Sequence, residues 1–204
     1  MKKRSILCFR SWFDKINLFD KLEFDVQPNF TQEGNRNMNI TIRATKENEA
    51  LTLSNIQKEA FLPLYEKYHD DDNPCLRGVE DVANRLNSDY FRYFTIFLEE
   101  EIVGGILYKC KGRTPFVDGL EDGQYYLQRV YIKPEKQCKK IAQRAILLCE
   151  KELPDAKCFL VDFPEDLMKN KRCYEKVGFM DTGKRLKVQQ NLVLACYEKY
   201  LYCE

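Results

Sequence analysis

The stretch from Tyr126 to Glu150, YLQRVYIKPEKQCKKIAQRAILLCE, constrains the fold of this chain most, because it forces a strand, a turn and a helix into one short run. Leu127, Val130 and Ile132 are separated by steps of three and two, and a regular strand brings only even steps to one face. A β-bulge near Gln128 and Arg129 restores the register. Pro134 ends the strand by removing a ladder donor, and from Ile141 the apolar positions Ile141, Ala145, Leu148, Cys149 and Leu153 take helical spacing. The join, Gln137-Cys138-Lys139-Lys140-Ile141-Ala142, sets a helix N-terminus just past the end of a strand. First-turn amides lack intrahelical acceptors and carry the positive end of the helix dipole, so an anionic diphosphate is their natural partner.

The rest of the chain narrows the class. Its 204 residues suit one α/β domain with an extension. A formal net charge of +1 supplies no bulk attraction to nucleic acid or to an anionic membrane, and neither partner is expected. No apolar run approaches the ~20 residues that span a bilayer, and Arg10 and Asp14 interrupt any signal-like core. Nine cysteines occur without a Cys-x-x-Cys pair or a histidine cluster. They read as reduced, mostly buried thiols of a cytoplasmic protein, with no metal site.

Residues 1–37 form an extension of uncertain role, in which Ile6, Phe9, Phe13 and Ile16 allow an amphipathic helix over residues 5–19 and Gln27 to Asn37 read as a linker. Residues 38–204 form the domain. A strand over Ile40 to Ala44 precedes helical residues 48–68, which Pro63 kinks or divides, and a second helix covers Val79 to Asn87. Tyr93 to Leu98 and Ile102 to Cys110 form a hairpin around Glu99 to Glu101, with Gly104-Gly105 permitting a bulge or a close approach. Cys158 to Phe163 is short and apolar like a buried parallel strand. Phe179 to Arg185 and Leu192 to Glu198 make a last hairpin around Lys187 to Asn191.

Two segments then resemble a known family. Gln137, Lys140 and Ala142 occupy the key places of the pyrophosphate-binding loop of the GNAT superfamily of acyl-CoA-dependent N-acyltransferases, whose pattern is Gln or Arg, two free positions, Gly, one free position, then Gly or Ala. Lys140 stands where the pattern has Gly. A helix N-terminus ordinarily has negative φ, so lysine is expected to fit there and to add charge. The segment Asn170-Lys-Arg-Cys-Tyr-Glu-Lys-Val-Gly-Phe179 is similar to the family's second marker, a short helix ending in Tyr-Glu-Lys-x-Gly-Phe. Gly178 closes that helix. Asn170 precedes Tyr174 by four positions, where relatives often have an Asn seven before.

The resemblance implies a GNAT fold: a mixed, mostly antiparallel central sheet with a splayed parallel strand pair and flanking helices. It implies an acetyl-CoA donor, an acceptor amine on a small molecule, peptide or protein, and a homodimer in some relatives. Pantetheine would lie along Val130, Tyr131 and Ile132, pairing with the backbone of Val130 and Ile132 like an added strand. Gln137, Cys138, Lys139, Lys140, Ile141, Ala142 and Gln143 would hold the pyrophosphate, with Asn170 and Tyr174 completing the coenzyme contacts.

Amine acylation needs a neutral amine, a polarised thioester carbonyl and a proton for the departing thiolate. In the family the tyrosine of the second marker commonly points at the coenzyme sulfur, so Tyr174 is the expected proton donor; a core tyrosine is the plainer alternative. The base stays open between Asp162 and Glu80, because Gln128, where some relatives carry a carboxylate, cannot take a proton. His69, beside Asp70, Asp71 and Asp72, reads as a solvated loop residue. A GNAT-fold module that binds acyl-CoA without catalysis is the competing reading, and the acceptor's identity is not readable.

Overall fold

The structure, a computed structural model, describes residues 39–201; the helix expected over residues 5–19 and the linker after it lie outside them. Seven strands form one sheet in the order β1-β2-β3-β4-β5-β7-β6. They are β1 (Ile40–Ala44), β2 (Phe91–Leu98), β3 (Glu101–Lys109), β4 (Gln124–Ile132), β5 (Cys158–Pro164), β6 (Met180–Gln189) and β7 (Leu192–Tyr200). Every neighbouring pair is antiparallel except β4 and β5, which run parallel. Among the described residues, four α-helices flank the sheet: α1 (Ala50–Tyr68), α2 (Val79–Leu86), α3 (Ile141–Lys151) and α4 (Met168–Glu175). This is the mixed, mostly antiparallel α/β architecture expected. No helix among the described residues is long and apolar enough to cross a membrane.

The odd spacing in β4 resolves as a bulge. Leu107 of β3 pairs with Arg129 and the next residue, Tyr108, pairs with Leu127, so Gln128 is the extra residue. Leu127, Val130 and Ile132 thereby all reach the main core, which β3, β4 and β5 build with Ile141, Ala145, Ile146 and Cys149 of α3. The opposite face carries a second core, where Leu53 and Ile56 of α1 and Val82 of α2 cover Tyr93, Leu107 and Tyr131. Because Gln128 is inserted, Gln128 and Arg129 both turn toward this second face, where α1 and α2 meet them.

Two details differ from the sequence expectations. Pro63 does not divide the first helix, which runs through it from Ala50 to Tyr68. Pro63 is exposed, so the hydrogen bond it cannot make is lost on the solvent side. The last hairpin is also longer than expected, with β6 reaching Gln189. Gly104 allows a close approach: a Cβ there would stand 2.1 Å from the Tyr131 carbonyl oxygen, so only glycine lets β3 lie against β4 at this point.

Candidate active site

The parallel pair is short. Its last partners are Leu127 and Val161, yet β4 continues to Ile132 and β5 to Pro164. Beyond Leu127, β5 pairs only with β7, on its far side, and the sheet opens as a V between the two strands. The direction of the β4 backbone in this gap follows from one bond. The Lys133 N–H donates to the Val103 carbonyl of β3 at 2.8 Å. Alternation along the strand therefore aims Tyr131 and Arg129 at β3 as well, and aims Val130 and Ile132 into the gap. The Ile132 carbonyl takes a hydrogen bond from Gln137 Nε2 at 3.0 Å, which ties the loop back to the strand end.

At the top of the gap stands the N-terminus of α3. The first amide of this helix to find its backbone acceptor is that of Arg144, on the Lys140 carbonyl at 3.1 Å. Those ahead of it are left for an external acceptor. Here the structure corrects an expectation. Lys140 caps the helix with φ 62° and ψ 13°, in the left-handed region, and Cys138 has φ 62° as well. Alternating backbone hands turn successive N–H groups inward to form an anion-binding concavity. The glycine of the family pattern thus answers a conformational need, and Lys140 bears a strain of about 1–2 kcal/mol to adopt the same shape. The expected residues Gln137, Cys138, Lys139, Lys140, Ile141, Ala142 and Gln143 are brought together here, contiguous around that concavity.

The lower end of the gap brings Tyr174 and Asp162 together from opposite faces. Tyr174, on α4, belongs to the main core, with its ring 5.2 Å from that of Phe163 and 5.8 Å from that of Phe179, centroid to centroid. Burial first, then the neighbouring Cys173 and Asp162, push its phenol far above the ordinary value, so it stays protonated at any physiological pH. Asp162 is the first β5 residue past the last β4 pair. It shares a face with Cys158 and Leu160, which pack with Tyr126 under Val117 and Leu120 of the β3–β4 loop. The Tyr126 hydroxyl donates to Asp162 Oδ2 at 2.5 Å. Burial raises the Asp162 carboxyl to about 6, partly offset by that hydrogen bond.

Glu80 lies on α2, and Asn170 lies on α4 four residues before Tyr174. Glu80 is exposed in the first turn of α2, its carboxylate turned back toward Gly78. Asn170 is partly buried in the first turn of α4. His69 is exposed at the C-terminus of α1, with φ 54° and its ring edge-on to Tyr65. The end of α1 does reach the site's rim: Lys67 and Tyr68 both bond the Asp166 carboxylate after β5, and Gln189 of the last hairpin bonds the Tyr68 carbonyl.

Sequence reasoning missed the polar group on the α1–α2 face of the bulge. Arg129, only 5% exposed in its side chain, donates to Gln57 Oε1 at 2.9 Å and to Asp81 Oδ2 at 2.7 Å. Arg85 donates to the same Asp81 oxygen at 3.0 Å and to Gln128 Oε1 at 2.7 Å. Burial would raise the Asp81 carboxyl, but the two guanidiniums outweigh it and hold it below the ordinary value. The i, i+4 spacing of Asp81 and Arg85 was the available signal. Tyr126, the partner of Asp162, was likewise overlooked as a site residue.

A mixed sheet opened at its parallel pair beside a bulged strand, with a helix N-terminus at the upper end of the opening, is the architecture that the resemblance implied. The Acetyltransferase (GNAT) family matches residues 51–179, well over half of the sequence, and the chain belongs to that family. Solved structures share the fold. The PaiA N-acetyltransferase of Thermoplasma acidophilum, in complex with coenzyme A, matches with a TM-score of 0.61 at 19% identity, over 80% of this chain and 100% of that one. A spermidine N-acetyltransferase SpeG chimera from Vibrio cholerae and hSSAT matches with 0.61 at 12% identity, over 79% and 95%. A ribosomal-protein alanine N-acetyltransferase of Escherichia coli matches with 0.60 at 9%, over 81% and 96%. A search of curated protein sequences finds no significant match.

Proposed function

We propose that this protein is an N-acetyltransferase, moving an acetyl group from acetyl-CoA to a primary amine by direct attack on the thioester. The observation that carries this reading is what lines the V between β4 and β5 among the described residues: backbone amides without hydrogen-bond partners, a protonated phenol, and a partly buried carboxylate with no cation beside it.

Acetyl-CoA supplies the activated acetyl group as a thioester. The residues present fit it. The amides from Cys138 to Gln143, with Lys139 and Lys140, meet the diphosphate, and the backbone groups of Val130 and Ile132 that face the gap receive the pantetheine arm as an added strand. The Val130 N–H polarises the acyl oxygen, a fixed dipole that needs no reorganisation during reaction. Asp162, titrating near neutrality, takes the proton that the attacking amine must lose. Tyr174 stays protonated and holds the departing thiolate by a hydrogen bond. Complete transfer from so weak an acid is uphill, so donation of the bond is its role. Glu80, exposed on α2, has no part in this arrangement.

The acceptor class follows from the family alone, as a small-molecule, peptide or protein amine. The neighbouring structures named for spermidine and for a ribosomal protein illustrate that range. One observation favours a second reading, an acyl-CoA-binding module without transfer: Gln128 stands where some relatives carry a carboxylate, and Arg85 occupies its oxygen. A thiol-release screen with acetyl-CoA and a panel of polyamines, amino acids, aminoglycosides and peptides separates the two. Thiol release with at least one amine, lowered by Tyr174→Phe about 10–100-fold with little change in coenzyme affinity, supports transfer. Tight binding of acetyl-CoA that stays intact with every amine supports the module.

A further inference from the structure

We infer that Asp81, Arg85 and Arg129 are positioning residues that clamp the β4 bulge, so that the Val130 N–H is held toward the acyl oxygen. This inference rests on the acetyl-transfer reading.

A bulge is the least determined part of a strand, because its extra residue drops out of the ladder and the flanking peptides gain freedom to rotate. In β4 the extra residue is Gln128, two positions before the amide assigned to the acyl oxygen. Both side chains between the ladder break and Val130 are tied to one carboxylate. Arg129 reaches Asp81 directly, and Gln128 reaches it through Arg85, closing a ring of Gln128, Arg85, Asp81 and Arg129. Gln57, fully buried on α1, braces Arg129 from the other side and is itself held by its bond to the Pro74 carbonyl at 3.0 Å. The bulge is thus anchored to both α1 and α2 by charge-assisted hydrogen bonds, which fix direction as well as distance.

An ionic group in this place is expensive for stability alone. A buried ion pair gains little over apolar residues of similar volume, so its better-attested use is to specify one arrangement. Here the arrangement specified is the orientation of the peptides leading into Val130. A donor displaced by a fraction of an ångström loses much of its effect on a developing oxyanion, whereas the contacts holding the diphosphate on α3 are untouched.

The test uses acetyl-CoA labelled with ¹³C at the thioester carbonyl, bound to the full chain, with the carbonyl stretch read by isotope-edited infrared spectroscopy. It compares the wild type with Asp81→Asn and with the milder Arg85→Met, which leaves the Arg129–Asp81 pair in place and serves if the first variant does not fold. The expected result is a carbonyl stretch lowered on binding to the wild type and returned most of the way to the free value in the variants. The kcat falls about 10–100-fold while the KM for acetyl-CoA stays within about threefold. Asp81→Glu, which keeps the charge, recovers part of both. Folded variants with the wild-type stretch overturn the clamp and leave the transfer reading standing. A wild type that binds no acetyl-CoA overturns both.

Discussion

Two aspartates on one face of the sheet, around the bulge of β4, have opposite surroundings. Asp81 sits between the guanidiniums of Arg85 and Arg129 and is held ionised, with its carboxyl below the ordinary value. Among the described residues Asp162 has only the Tyr126 hydroxyl as a hydrogen-bond partner, and burial lifts its carboxyl to about 6. The same residue type is therefore a fixed charge on one side of the strand and, in the proposed mechanism, a proton acceptor on the other. What separates them is the cations supplied by neighbouring elements: α2 and β4 deliver two to Asp81, whereas β5, β7 and the β3–β4 loop deliver none to Asp162.

The comparison is most exposed to Asp162→Asn. That change removes the proposed proton acceptor but keeps an oxygen for Tyr126, and steady-state thiol release is expected to fall about 10²–10⁴-fold. The converse change, Asp81→Asn, strands two guanidiniums at the bulge and is expected to cost roughly 3–5 kcal/mol of stability in denaturant titrations. At pH 8 Asp162→Asn moves stability the other way, gaining about 1–3 kcal/mol, because the native carboxylate is the disfavoured form there. The signs follow from the two shifts. The Asp162 contribution is present below the unfolded-state pKa and lost as pH rises through about 6; that of Asp81 is present above the unfolded-state pKa and lost as pH falls through its depressed native value. If both variants changed stability in the same direction at pH 8, the contrast would collapse.

Two smaller effects sharpen it. Tyr126→Phe removes the one hydrogen bond that holds the Asp162 carboxyl down, so the acidic limb of the pH–rate profile should move up by up to about one unit. Lys140→Gly relieves the left-handed residue at the head of α3 and should raise Tm by about 2–4 °C, read by calorimetry. An unchanged or lower Tm would show that the Lys140 side chain contributes more than its backbone strain costs.

Most of the fold was legible because local signals agreed with it. The step of three in Leu127, Val130 and Ile132 announced the bulge, Pro134 ended the strand, and the spacing from Ile141 marked α3. The positive φ of Lys140 was not legible, since a lysine carries no signal for a left-handed backbone; only the glycine in the family pattern hinted at it. Of the candidate site, the loop and Tyr174 were picked out by two short motifs. Asp162 and Glu80 looked equivalent as letters, because burial and missing cations are properties of the packed sheet. The network of Gln57, Asp81, Arg85, Gln128 and Arg129 joins positions up to 72 residues apart, and beyond the i, i+4 spacing of Asp81 and Arg85 no local pattern connects them.

The most direct test of the account is the pH dependence of kcat/KM for acetyl transfer, measured from pH 5 to pH 8 on the wild type and on Asp162→Asn with an amine found by the thiol-release screen. The wild type should rise along a limb with an apparent pKa of about 6, and the variant should lack that limb. A variant that keeps the same limb at near wild-type rates would contradict the assignment of Asp162, and with it the division of labour between the two sides of β4.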